Sequence, residues 1–176
     1  NQSPIMKLLI TLLFVCSSGY AQELPARWDE LTTSDWDKAL EKSSRTCILP
    51  IGILEKHGPH SPLGSDLIHV REIAARTVKN EYAVVFPDYF YGQINEARQQ
   101  PGTFALPSTL ILNLLEATCD EIARNGFDKI IILNGHGGNP EFLRFFMQSL
   151  LGKRRDYAVY LFDPGSDQAF DENMKK

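Results

Sequence analysis

The sequence predicts an α/β protein built on a mostly parallel sheet, and three observations carry that reading. Short β-rich runs alternate with amphipathic stretches, the pattern of strands joined by helical crossovers. The runs are apolar throughout, as in strands buried on both faces. With 176 residues, the chain has room for one domain with a sizeable core and not for two.

Taken in order, the elements begin with a leader. From Met6 the chain reads Lys7, an apolar run from Leu8 to Val15, then small residues ending Gly19-Tyr20-Ala21. This is the layout of a secretory signal occupying residues 1–21, with translation from Met6 and cleavage after Ala21. The bland alternative is a buried strand or helix. The run is too short to span a bilayer, so a secreted or periplasmic product without stable membrane insertion is expected. The mature domain then covers 22–176.

Strands are expected at 47–54, 82–87, 129–133 and 157–162. The helix after Asp66 carries Val70, Ile73 and Ala74 inward. Ile111, Leu114, Leu115, Thr118 and Ile122 keep helical spacing up to Asn125-Gly126, a natural helix end. Phe142, Phe145, Phe146 and Leu150 form another stripe, read as core. Asn139-Pro140 before it supplies an N-cap and a first helical residue. Residues 88–107 show no period and contain Gly92, Pro101 and Gly102; a loop of that length in a compact domain is more often functional than idle.

Composition closes off other classes. Hydrophobic residues at 43% and charged residues at 23% exclude a disordered chain. A net charge of -4, with no basic run longer than Lys153-Arg154-Arg155, argues against nucleic acid as a partner. Cys16 falls in the leader, and Cys47 and Cys119 read as buried free thiols rather than a disulfide framework.

The histidines fall in two places. Glu55-Lys56-His57-Gly58-Pro59-His60 follows the first strand, with Asp66 and His69 beyond; Asn134-Gly135-His136-Gly137-Gly138-Asn139-Pro140 follows the third. If the first strand continues through residue 57, its two-residue period sends Glu55 and His57 to one face. Ligands in open α/β sheets gather outside the carboxyl ends of the strands, so both groups emerge on one edge. Two imidazoles and two carboxylates there make a metal site, suited to zinc or manganese, with Asp66 as the natural bridge if two ions are present. Each residue also has a plain reading: Asp66 as a helix cap, Glu55 as a surface carboxylate, the glycine-rich turn as an anion cradle.

Four ordered motifs then resemble one family. They are Leu49-Pro50-Ile51-Gly52; Glu55-x-His57-Gly58-Pro59-His60-x-Pro62-Leu63-Gly64-x-Asp66; Pro101-Gly102-Thr103; and Asn134-Gly135-His136-Gly137-Gly138-Asn139. Together, over about 47–162, they resemble the creatininase (creatinine amidohydrolase) family. The resemblance implies a three-layer α/β/α fold and a dinuclear metal centre that hydrolyses a C–N bond of a small or cyclic amide. It places Glu55 and His136 on one ion, His57 on the other and Asp66 between them. Creatininase itself has a glutamate where this chain has Gly138, as do other branches with the Gly-Gly form, so creatinine is not the expected substrate. Family members also continue beyond this length, so the domain is expected to be incomplete at its C-terminus.

The reaction implied is metal-assisted hydrolysis, with an acidified water attacking the amide carbonyl. His60 is the unassigned imidazole for the leaving nitrogen, with binding or loop structure as its plainer role; His69 is read as structural. Tyr91, Gln93, Glu96 and Arg98 are candidates for substrate contact. The ion beside His57 would have two protein donors where catalytic zinc usually has three, so the chain as given is expected to be catalytically poor. The family tends to assemble, and a homo-oligomer is expected of a full-length protein. The rival readings are a non-catalytic secreted binding domain and a metal-dependent peptidase or deformylase.

Overall fold

Four parallel strands form one sheet in the order β2-β1-β3-β4: β1 is Thr46–Ile51, β2 Val84–Val85, β3 Lys129–Asn134 and β4 Ala158–Phe162. The computed structural model describes residues 23–164, and the expected leader lies outside the described residues. β1 and β3 are the central pair, in register from Thr46 opposite Lys129 to Ile51 opposite Asn134.

Alternation along these strands sorts the core into two faces. Cys47, Leu49 and Ile51 of β1 join Ile130 and Ile132 of β3 in one cluster, while Ile48 and Leu133 belong to a second on the other side. Four helices flank the sheet: α1 (Trp36–Lys42), α2 (Ser65–Asn80), α3 (Ser108–Arg124) and α4 (Pro140–Leu150). Helix α2 covers the second cluster with Val70 and Ala74. Helices α3 and α4 cover the first with Leu115, Cys119, Ile122, Leu143 and Phe146. The result is three layers, α/β/α. Helix α3 stops where Asn125 caps it and Gly126 turns to a φ of 107°, a left-handed conformation that glycine adopts without cost.

The sequence reading places no element between 22 and 46, yet this stretch closes one end of the sheet. Trp28, in a short 3-10 turn, packs edge-on to Trp36 of α1 at 4.5 Å between ring centroids, and both meet Phe127. Trp36 donates its indole N–H to the Asn125 carbonyl at 3.1 Å, pinning α1 to the end of α3.

Three expectations need correction. The first strand ends at Ile51, not at 54, so the two-residue period cannot be what brings Glu55 and His57 together. β4 is not buried on both faces: Val159 and Leu161 pack on the first cluster, but Tyr160 and Phe162 are each 54% exposed because α2 does not extend over them. Phe145 is not core either. Leu143, Phe146 and Leu150 hold the buried stripe of α4, and Phe145 turns to solvent. The two thiols are as expected: Cys47 and Cys119 are buried and free, and burial pushes the Cys119 thiol up to about 12. No helix among the described residues is long and apolar enough to cross a membrane.

Candidate metal centre

The strand order creates the site. The chain leaves β1 through α2 on one face and β3 through α4 on the other, so the loops after these adjacent strands diverge and open a crevice at their carboxyl ends. Residues 52–57 emerge from β1 as irregular chain held by backbone bonds rather than by a ladder. Gly52 N–H donates to Tyr89, Glu55 N–H to Leu63 at 2.8 Å, and Phe104 N–H to Leu54 at 3.0 Å. That path, not strand alternation, carries Glu55 and His57 to the crevice.

Glu55, Asp66 and His136 offer one ligand atom each within 4.8 Å of one another, an arrangement that could hold a metal ion. His57 adjoins this group. Its Nε2 lies 3.5 Å from Glu55 Oε2 and 3.4 Å from Asp66 Oδ1. On the other side, His136 Nδ1 lies 2.7 Å from Asp66 Oδ2 and 3.7 Å from Glu55 Oε2. Asp66 thus turns one oxygen to each imidazole, and a single oxygen of Glu55 faces both. His136 is buried, the carboxylates are mostly covered, and a third of the His57 side chain remains open.

The far nitrogen of each ring faces a carbonyl. His136 Nε2 is 3.0 Å from the Gln93 carbonyl, and His57 Nδ1 is 3.3 Å from the Glu55 carbonyl and 3.1 Å from Ser65 Oγ. A carbonyl oxygen only accepts, so these bonds place a proton on the outer nitrogen of each ring. The inner nitrogen is then free to act as a ligand.

The Creatininase family profile, described as creatinine amidohydrolase, matches residues 29–175. The chain belongs to the creatininase family. Among curated relatives, creatinine amidohydrolase of Pseudomonas putida is 26% identical over 65% of this chain and 46% of its own length. The mycofactocin precursor peptide peptidase of Mycolicibacterium smegmatis is 34% identical over 62% of this chain and 46% of its own. The chain therefore spans about half the length of these relatives. A crystal structure of creatinine amidohydrolase shares the fold at a TM-score of 0.71 and 22% identity, covering 84% of this chain and 62% of that one. Zinc and manganese forms of creatininase match at TM-scores of 0.70 and 0.69.

In this creatininase-family chain the remaining candidates sit apart from the carboxylates. His60 stands on the exposed turn after His57, its ring against Gly58, and is absent from the group's described ion pairs and hydrogen bonds. Tyr91 packs its ring among Tyr89, Phe90 and Phe104. Arg98 is exposed at the end of the 3-10 turn Asn95–Ala97. Gln93 and Glu96 lie behind His136, joined by a bond from Gln93 Nε2 to Glu96 Oε2 at 2.9 Å. His69, expected to be structural, is exposed and lines a cavity of about 350 Å³ with Asn134, Gly135 and His136.

Sequence reasoning missed the residues that hold the ligands in place. Asn134 is buried, its Oδ1 accepting from His136 N–H and its Nδ2 donating to the His136 carbonyl, which fixes the turn. Asn139 is not the side-chain cap of α4. Its Oδ1 accepts from Gln93 N–H at 2.9 Å and its Nδ2 donates to Asn134, so it ties the 88–107 loop to the turn after β3. Asn139→Ala is expected to lower stability by about 2 kcal/mol, since it strands the Gln93 N–H and half of the Asn134 amide. Urea unfolding measures this, and a loss below about 0.5 kcal/mol, the range of an ordinary surface change, would show that the two loops hold without it.

Proposed function

We propose that this chain forms the metal centre of a hydrolase that cleaves the C–N bond of a small or cyclic amide. In this reading Glu55, His57, Asp66 and His136 hold up to two divalent ions, zinc or manganese. One observation carries it: both imidazoles commit their outer N–H to a carbonyl and turn the inner nitrogen toward the same two carboxylates. An unprotonated ring nitrogen 2.7 Å from a carboxylate oxygen is two acceptors face to face, which requires positive charge between them. A divalent cation meets that need, and a carbonyl behind each histidine is the usual outer partner of a metal ligand. The competing way to satisfy the pair is an imidazolium–carboxylate bridge with a purely structural role.

Bound there, the ion would acidify a water and polarise the amide carbonyl. The chain's own groups do the rest. Asp66, with an oxygen toward each imidazole, is the bridge, and Glu55 supplies a second negative charge from the loop after β1. Gln93 and Asn134 keep His136 from rotating. His60, on the open turn, is the imidazole within the motif for a leaving nitrogen arriving from solvent, and Tyr91 and Arg98 belong to the 88–107 loop that would meet the substrate.

A peptide amide is the second reading. It is favoured by the 34% identity to a peptide peptidase, against 26% to a creatinine amidohydrolase. The leader read at 1–21 would direct the protein to the periplasm or beyond, and assembly into a homo-oligomer is part of the same proposal.

The test is elemental analysis of the purified protein before and after chelation, with hydrolysis of cyclic amides and short peptides assayed in parallel. One to two zinc or manganese ions per chain, lost together with any activity and regained on re-addition, is the expected result. Full turnover in metal-free protein would remove the mechanism, and folded protein that takes up no metal would leave the imidazolium bridge.

A further inference from the structure

The turn after β3 and the 3-10 turn Asn95–Ala97 meet at one point. A Cβ placed on Gly138 would stand 2.9 Å from Glu96 Oε1 and would overlap His136 Nε2. The carboxylate of Glu96 and the outer nitrogen of His136 therefore border the same small volume, which is open only because position 138 has no side chain. Nothing about this place is loose. The Gln93 amide nitrogen donates to Glu96 Oε2 at 2.9 Å, and Gln93 Oε1 accepts from Asn95 N–H at 2.8 Å, so one side chain clamps the turn while its own backbone carbonyl faces His136. Glu96's own backbone N–H, then the Gln93 amide, hold its carboxyl below the usual carboxylate range.

We infer that Glu96 is a positioning carboxylate for His136, supplied from the 88–107 loop and admitted by the missing side chain at Gly138. The inference rests on the reading of His136 as a metal ligand. An anion beside the outer N–H draws that proton outward, orients the ring and makes the inner nitrogen a better donor, as carboxylates behind ligand histidines do. Glu96 then acts through His136 and not, as its place in the loop suggests, on the substrate. Gly138 becomes a position where any side chain must displace either the carboxylate or the imidazole.

Zinc titration of the wild type, Glu96→Gln, Glu96→Ala and His136→Ala, each started metal-free, tests this. Glutamine keeps the shape of Glu96 and its bond from Gln93 while removing the charge. Zinc affinity is expected to fall about tenfold in Glu96→Gln, with His136→Ala weaker still and the thermal midpoints of metal-free wild type and Glu96→Gln alike. Full affinity in Glu96→Gln with a loss only in Glu96→Ala would reduce Glu96 to a structural strut and overturn the inference. A second readout needs no metal: exchange of the His136 Nε2–H with water, followed by nitrogen-15 NMR. Faster exchange in Glu96→Gln supports the positioning role even if the wild type binds no zinc, an outcome that would sink the metal reading by itself. Unchanged exchange counts against Glu96 whatever the zinc result.

Discussion

Asp66→Ala is expected to abolish metal binding at both imidazoles together, while His57→Ala removes only the donor on its own side. Asp66 alone turns separate oxygens to the two rings, Oδ2 at 2.7 Å from His136 and Oδ1 at 3.4 Å from His57. Removing it strips a shared donor and leaves two unprotonated nitrogens facing Glu55 only. The loss in zinc affinity should exceed the roughly 10- to 100-fold that deleting an outer partner costs, since here the ligand itself goes. The fold should survive. Asp66 lies in the first turn of α2, where no side chain caps the helix, so alanine forfeits only its interaction with the helix dipole, about 0.3–1 kcal/mol. Zinc titration and circular dichroism on the same samples check both halves. Retention of metal at wild-type affinity by Asp66→Ala would return Asp66 to being a residue of the helix start.

Much of this was legible because burial imposes periods on sequence. The 3.6-residue stripe of Ile111, Leu115 and Ile122 marks α3, and the unbroken apolar run of Lys129–Asn134 marks a strand covered on both faces. The same rule misreads Ala158–Phe162, because a run of apolar residues does not say whether a helix lies over each face; Tyr160 and Phe162 have none. Phe145 fails likewise, being apolar at the edge of a stripe that Phe146 and Leu143 already fill. At the site, the four side chains that converge were readable from residue type and spacing. Their scaffolding was not. The acceptor behind His136 is a backbone carbonyl, which every residue carries, so nothing at Gln93 announces it. Asn139 before a proline matches a helix cap as well as a loop tie, and only the distance to Gln93 decides between them. One signal was available: Gly92, whose missing side chain leaves room for the Asn139 amide and Ile53. A glycine in a long aperiodic loop, one residue before a candidate site residue, marks a close approach.

Gly52→Ala is expected to be the most destabilising single-methyl change near the site, by about 3 kcal/mol, and to take metal binding with it. Gly52 follows the last residue of β1, and its N–H is tied to the Tyr89 carbonyl at 3.0 Å. A Cβ there would lie 2.5 Å from Leu67 Cα and 2.6 Å from Leu67 N. Ordinary carbon contacts need about 3.5–4.0 Å, so α2 would have to withdraw by about 1 Å. The obstacle is helix backbone rather than the tip of a flexible side chain, which puts the cost at the top of the usual range of roughly 1–3 kcal/mol for overpacking. Leu67 directly follows Asp66, and Glu55 is three residues beyond Gly52, so the same withdrawal parts the two carboxylates that the site needs together. Gly137→Ala is the control. A Cβ there meets nothing within 4 Å, and its stability should stay within about 0.5 kcal/mol of the wild type. Urea unfolding gives the stabilities and zinc titration the affinities. If Gly52→Ala matched Gly137→Ala on both, the exit of β1 would have slack that this packing does not allow, and the close seating of α2 could not be what fixes the distance between Asp66 and Glu55.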